Sequence, residues 1–261
     1  MNYSVRSISV GSVEVPAPEI FWMEAFEKWL PLELQVGVIQ GNGITAIVNT
    51  GPPTDLSPIN DMWTSILGPR AELKRTDDQE IVRALSNIGI SPEEVTHVLI
   101  TPFQLYTTGN IPLFTNAKIC LSKRGWVHYH TTHSHPHDSR WHSISPEVIK
   151  YLVTDAWDNV RLLEDEDEIA PGLRTWFSGT HHRASIAIDV DTADGTVCIS
   201  DSFFYYENVE ENRMLGIGEN MYEGISTYQR ARESAKHFLP LYDPKVQVRY
   251  SEGIISRGHQ S

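Results

Sequence analysis

Two β-sheets packed face to face and covered by helices, an α/β sandwich, is the fold that this 261-residue sequence predicts. Segments rich in β-branched residues recur in both halves of the chain, and helical patterns stand between and after them. No internal repeat and no Gly/Ser linker divides the sequence, so residues 1–261 read as one domain, a common size for a layered α/β fold.

Each element has its own signal. The nine residues Phe21 to Trp29 carry four large aromatics and read as a buried or interface helix, consistent with a homodimer. Gln35–Gln40 and Ile44–Asn49 flank Gly41-Asn42-Gly43, which is a hairpin signal because the turn needs positive φ. Thr50-Gly51-Pro52-Pro53 ends it sharply. Asp77 to Ile88 repeats apolar residues at 81, 82, 85 and 88, one face of a helix, with Gly89 as a stop. Val95 to Ile100 reads as a buried strand that feeds a loop over 101–112, and Lys118 to Leu121 as a short strand. Residues 146–153 and about 222–237 are helical in pattern. The acidic run Glu164 to Glu168 reads as a solvated turn and not a cation site. Leu173–Phe177, Ala184–Asp191 and Thr196–Ser200 read as consecutive strands, and 246–250 (VQVRY) as a closing one.

Composition narrows the function. Lys and Arg total 21 against 34 Asp and Glu, a net charge of −13, which argues against nucleic acid or an anionic membrane as partner. Cys120 and Cys198 are the two cysteines, too few for a disulfide framework and in keeping with a reducing, cytoplasmic setting. The N-terminus lacks the apolar core of a signal peptide, and no stretch of about eighteen apolar residues suggests a membrane span. A small-molecule ligand is the class that remains. Eleven histidines, six of them between His128 and His142, suggest metal at first sight. The alternation of His133, His135 and His137 would let an extended stretch reach one cation. The plainer reading is a lid or interface loop over about 126–145 whose histidines are incidental, with substrate contact by one or two of them as a further reading. His97, inside a strand, reads as structural, and His237, near a helix end, as a partner for terminal carbonyls.

Val95 to Phe114, with its Gly109-Asn110 exit, resembles the metal-binding strand and loop of the metallo-β-lactamase superfamily, in particular the N-acyl homoserine lactonase branch. Asn49-Thr50-Gly51 resembles that family's Asp-Thr-Gly, Gly179 to Ser185 its Gly-His-x-x-Gly-Ser, Ile199-Ser200-Asp201 the strand end bearing its bridging aspartate, and Leu239 to Pro244 its terminal Pro-Gly-His-Asp-Pro. The resemblance spans about residues 35–250 and implies a four-layer αβ/βα sandwich with the site at one edge between the sheets.

The chemistry departs from that pattern. The family loop reads His-x-His-x-Asp-His, whose alternate residues share one metal and whose last two face a second. Here those positions are Pro102, Gln104, Tyr106 and Thr107, no His or Asp occurs from 98 to 114, and the later histidine position is Tyr242. His181 and Asp201 alone keep the family's ligands, fewer than a catalytic zinc uses. The usual dinuclear zinc site is therefore expected to be lost, with no cofactor. Three readings follow. In the first, an enzyme works without the family's metals: His181 oriented by Asp201 is the base, and Tyr106 or Tyr242 donates a proton or holds an oxyanion. Gln104, Thr107, His182 and Arg183 contact substrate, Arg183 as a clamp for a carboxylate. The reaction would be hydrolysis of a lactone, ester or amide, or an isomerisation, cyclisation or elimination. In the second, the chain is a non-catalytic ligand-binding pseudoenzyme. In the third, a single metal sits on unorthodox ligands, namely His181, Asp201 and one histidine from 128–142.

Overall fold

The computed structural model describes residues 3–131 and 140–258. His133, His135, His137 and His259 lie outside the described residues. The strands are β1 (Ser4–Pro16), β2 (Trp29–Gly41), β3 (Ile44–Val48), β4 (His97–Leu99), β5 (Lys118–Ser122), β6 (Val160–Leu163), β7 (Glu166–Ala170), β8 (Leu173–Phe177), β9 (Ile186–Thr192), β10 (Gly195–Ser200), β11 (His237–Pro240) and β12 (Ile254–Ser256). They form one sheet in the order β12-β1-β2-β3-β4-β5-β6 and a second in the order β11-β10-β9-β8-β7. The long β1–β2 ribbon and β3 are antiparallel, whereas β3 to β6 run parallel. In the second sheet β7 to β10 are antiparallel and β11 joins in parallel.

The period of two along a strand explains the layers. On β9, Ile186, Ile188 and Val190 enter the large core shared with the first sheet. Ala187 between them joins a separate cluster with Phe203, Tyr228 and Ala231. On β10 the same alternation sends Val197 and Ile199 inward and Cys198 outward. Tyr228 and Ala231 lie on the helix Met221–Ser234, so that helix covers the outer face of the second sheet. On the first sheet, Ile81, Ala84 and Leu85 of the helix Ile81–Ser86 join the main core. The two sheets meet closely at Gly37, where a methyl group would stand 3.5 Å from the Ile199 side chain. Helix, sheet, sheet and helix are the expected four layers.

The hairpin forms as its sequence predicts: Asn42 and Gly43 both have positive φ, at 53° and 77°, the backbone of a type I′ turn. Both cysteines are free, buried and on strands. His97 is on β4, where burial, followed by the charges of Arg161 and Lys118, holds its ring below the usual imidazole range.

Other expectations need correction. Residues 246–250 are not a strand: Lys245–Arg249 is a helix, started by Asp243, whose Oδ1 accepts from the Lys245 N–H at 2.8 Å. The Val-Gln-Val alternation misled because Val246 is buried while Val248 is 85% exposed. Phe21–Trp29 is not a helix either. The helix there is Ala17–Ile20, Met23 and Ala25 have φ of 57° and 51°, and Trp29 already belongs to β2. Phe21 is buried under the Arg213 guanidinium, 3.6 Å from the ring centre, while Trp22, Met23 and Phe26 are exposed. The helix expected over 77–88 is split at Glu80, whose extended ψ of 132° separates a turn at Asp77–Gln79 from the helix Ile81–Ser86. The acidic run is not a turn: its second half is strand β7, paired with β8. His237 opens β11 and does not end a helix.

Candidate active site

The two sheets bring their strand ends together at one corner. Asp201 follows β10 and is fully buried. It accepts from His181 Nδ1 at 2.8 Å and from the Ser185 hydroxyl at 2.5 Å through Oδ2, and from the Thr101 hydroxyl through Oδ1. Thr101 comes from the loop after β4, and its Oγ1 also accepts from the Ile186 N–H at 2.9 Å, which ties the first sheet's loop to the start of β9. Thr101 is itself clamped. Asn49 accepts from the Thr101 N–H at 2.8 Å and donates to the Thr101 carbonyl at 2.7 Å. Asn49 has φ of 70°, a conformation that asparagine tolerates better than most residues. Asn110 completes the frame by donating to the carbonyls of Thr50 and Pro52. A carboxylate accepting at Nδ1 favours the tautomer with its proton there, which leaves the Nε2 lone pair unspent on Asp201.

His181 lines a cavity of about 430 Å³ together with Gln104, Tyr106, Tyr242, Phe204, Trp63 and Glu19, and with aliphatic residues of β1, β2 and the helix Ser57–Leu67. Four of the sequence-predicted residues, His181, Gln104, Tyr106 and Tyr242, thus share one cavity, with Asp201 directly behind His181. The Tyr106 and Tyr242 rings stand edge to face at 6.0 Å. Burial pushes both phenols well above their ordinary range, so both keep their protons at neutral pH. The Tyr242 hydroxyl is buried without a hydrogen-bond partner among the described residues.

The remaining three predicted residues do other things. Thr107 donates to the Pro102 carbonyl at 2.6 Å and holds the loop in shape. His182 accepts from the Ala184 N–H at 3.0 Å, and its ring meets that of His128 at 6.4 Å. Arg183 is not a free clamp for a substrate carboxylate. Its guanidinium is bonded to Glu219 at 2.9 Å and to Glu223 at 2.6 Å, so both faces of the fork are spent on protein carboxylates.

No family profile matches the sequence. The N-acyl homoserine lactonase AiiB of Agrobacterium fabrum is 23% identical over 192 residues, covering 69% of this chain and 67% of that protein. Among solved structures, an N-acyl homoserine lactone hydrolase with N-hexanoyl-L-homoserine bound at its catalytic metal center superposes with a TM-score of 0.78 at 16% identity, over 96% of this chain and 97% of the other. A variant of AiiA from B. thuringiensis with N-decanoyl-L-homoserine at its active site gives the same TM-score of 0.78, identity of 16% and coverage of 96% and 97%. The chain has a metallo-β-lactamase-like fold.

A metal centre is part of what this fold implies, and the donors here do not fit the usual pair of zinc ions. Both Asp201 oxygens and the Nδ1 of His181 are engaged with each other or with hydroxyls. Tyr106 and Tyr242 would have to ionise against burial. Among the described residues no group of three His, Cys, Asp or Glu side chains is placed to hold a metal ion.

Sequence reasoning missed Thr101, Ser185 and Glu19. Ser185 lay inside a segment noted for its resemblance but had no assigned role. Thr101 precedes the loop's altered positions and is an ordinary threonine in pattern. Glu19 lies on the short helix Ala17–Ile20 and lines the cavity, whose described lining residues include no Lys or Arg. Burial among apolar walls pushes its carboxyl up to about 7. Its backbone carbonyl accepts from the N–H groups of Gly216 and Ile217 at 3.1 and 2.8 Å, which fixes the helix against 213–217. A single acid between two prolines and an aromatic run carries no periodic signal.

Proposed function

We propose that the chain is a small-molecule enzyme that performs acid–base chemistry without the zinc pair, hydrolysing a lactone, ester or amide or moving a proton in an isomerisation or elimination. The observation that carries this reading is the His181–Asp201 pair at 2.8 Å on the wall of the cavity. Asp201 orients the ring, and His181 Nε2 takes a proton from water or from substrate carbon. Tyr106 and Tyr242, held protonated, donate to the oxygen on which negative charge develops, with Gln104 as a further donor. The relatives' reactions support the hydrolytic branch, and the apolar walls suit an acyl or aryl body. A cytoplasmic setting is supported by the two buried free thiols, and a homodimer by the exposed Trp22, Met23 and Phe26.

The test is a panel of lactones, esters and amides assayed with metal-stripped protein in chelator. Turnover that persists in chelator and falls by about 10²–10⁴-fold in His181→Ala is the expected result. Turnover that returns only on adding zinc would sink the metal-independent reading.

A further inference from the structure

The cavity has a chemical bias of its own. Among the described residues lining it there is no Lys or Arg. Its one carboxyl on the apolar side, Glu19, makes no side-chain hydrogen bond or ion pair among the described residues, although its charge bears on the ionisation of Tyr106. Arg183, the cation that a carboxylate ligand would need, is bonded to Glu219 and Glu223 instead. An anionic ligand would therefore find no Lys or Arg on the described lining to pair with.

The other polar resource is aromatic. Trp63 and Tyr106 rings lie 5.5 Å apart, Tyr106 and Tyr242 6.0 Å, and Tyr242 and Phe204 4.5 Å, so four rings follow one another along the lining. Aromatic faces attract cations through their quadrupole, and most strongly where water is excluded. A carboxyl without a partner beside such rings is a pairing that neutral apolar ligands do not require.

We propose that the cavity binds an ammonium group on an apolar body, with Glu19 as its counter-ion and the Trp63, Tyr106, Tyr242 and Phe204 rings as the surrounding wall. The proposal names the substrate class for the function above and rests on that reading only in taking this cavity as the ligand site. A bound ammonium converts Glu19 to its carboxylate and removes the cost of burying that charge alone. An apolar ammonium ester or lactone would then present its carbonyl toward His181 while its cation is held by Glu19.

Binding tests this without turnover. Phenyltrimethylammonium, its neutral isostere tert-butylbenzene, and benzoate are titrated at pH 8 against the full chain, followed by Trp fluorescence and calorimetry. The ammonium is expected to bind at least tenfold more tightly than tert-butylbenzene, and benzoate the least. Glu19→Gln should weaken the ammonium about tenfold and leave tert-butylbenzene unchanged, which also shows that the variant is folded. Equal affinity for ammonium and isostere, or no loss in Glu19→Gln, overturns the proposal. His181→Ala should still bind the ammonium, so a failed catalytic reading and a failed ligand class give different results.

Discussion

Asp201 and Glu19 are two carboxyls in opposite conditions, Glu19 on the cavity wall and Asp201 behind the wall residue His181. Asp201 is fully buried yet accepts hydrogen bonds from His181, Ser185 and Thr101. Glu19 is less buried yet has no such donors among the described residues, and burial alone pushes it up to about 7. The two differ in the hydrogen-bond donors aimed at them, not in burial alone. One carboxyl is a fixed part of the frame, and the other is open to whatever ligand arrives.

The contrast is broken most severely by Asp201→Ala. It strands the Ser185 hydroxyl and the His181 N–H and leaves the Thr101 hydroxyl only the Ile186 carbonyl, and a loss of about 3–5 kcal/mol in urea unfolding is expected. A loss below about 1 kcal/mol would mean that the frame does not depend on it. Asn49→Asp probes the same frame one bond further out. The carboxylate keeps the acceptor for the Thr101 N–H but sets an oxygen against the Thr101 carbonyl, at an expected cost of about 2 kcal/mol by the same measurement. Glu19→Gln sharpens the other side of the comparison. The folded value of about 7 lies above the ordinary 4.5, so the folded chain holds this proton longer than the unfolded one. That stability is complete below about pH 4 and is lost as pH rises through 7. Glutamine has no charge to bury, so the variant should match the wild type at low pH and exceed it by about 1–2 kcal/mol at pH 8, read from denaturation at each pH. No pH-dependent difference would mean that Glu19 is solvated in the folded state.

The parts of the molecule that sequence reasoning reached are those with a local code. Asn42-Gly43 announces a turn that few other pairs can make, and short runs rich in apolar and β-branched residues mark β9 and β10, which are buried toward both faces. His181 and Asp201 were reached because each sits in a distinctive segment at a strand end. What escaped depends on distant contact. Whether 246–250 coils or extends is decided by Asp243 at its start and by the absence of cover for Val248. Arg183 could be assigned to a ligand because Glu219 and Glu223, 36 and 40 positions away, are not visible from its neighbours. Glu19 became part of the cavity wall only because Gly216 lets residues 213–217 close against it; a methyl group there would meet the Pro18 carbonyl oxygen at 1.6 Å.

Strand β7 lies at the border of its sheet, with only β8 beside it. Such a border is a row of unmet peptide groups that could template another chain. Here Glu166, Asp167 and Glu168 occupy it, with Arg230 and Arg161 held against the first two at 2.6 Å each. A second molecule adding a strand would have to strip these ion pairs and bring like charges together. The acidic run thus opposes the addition of a strand of like charge at this border of the sheet.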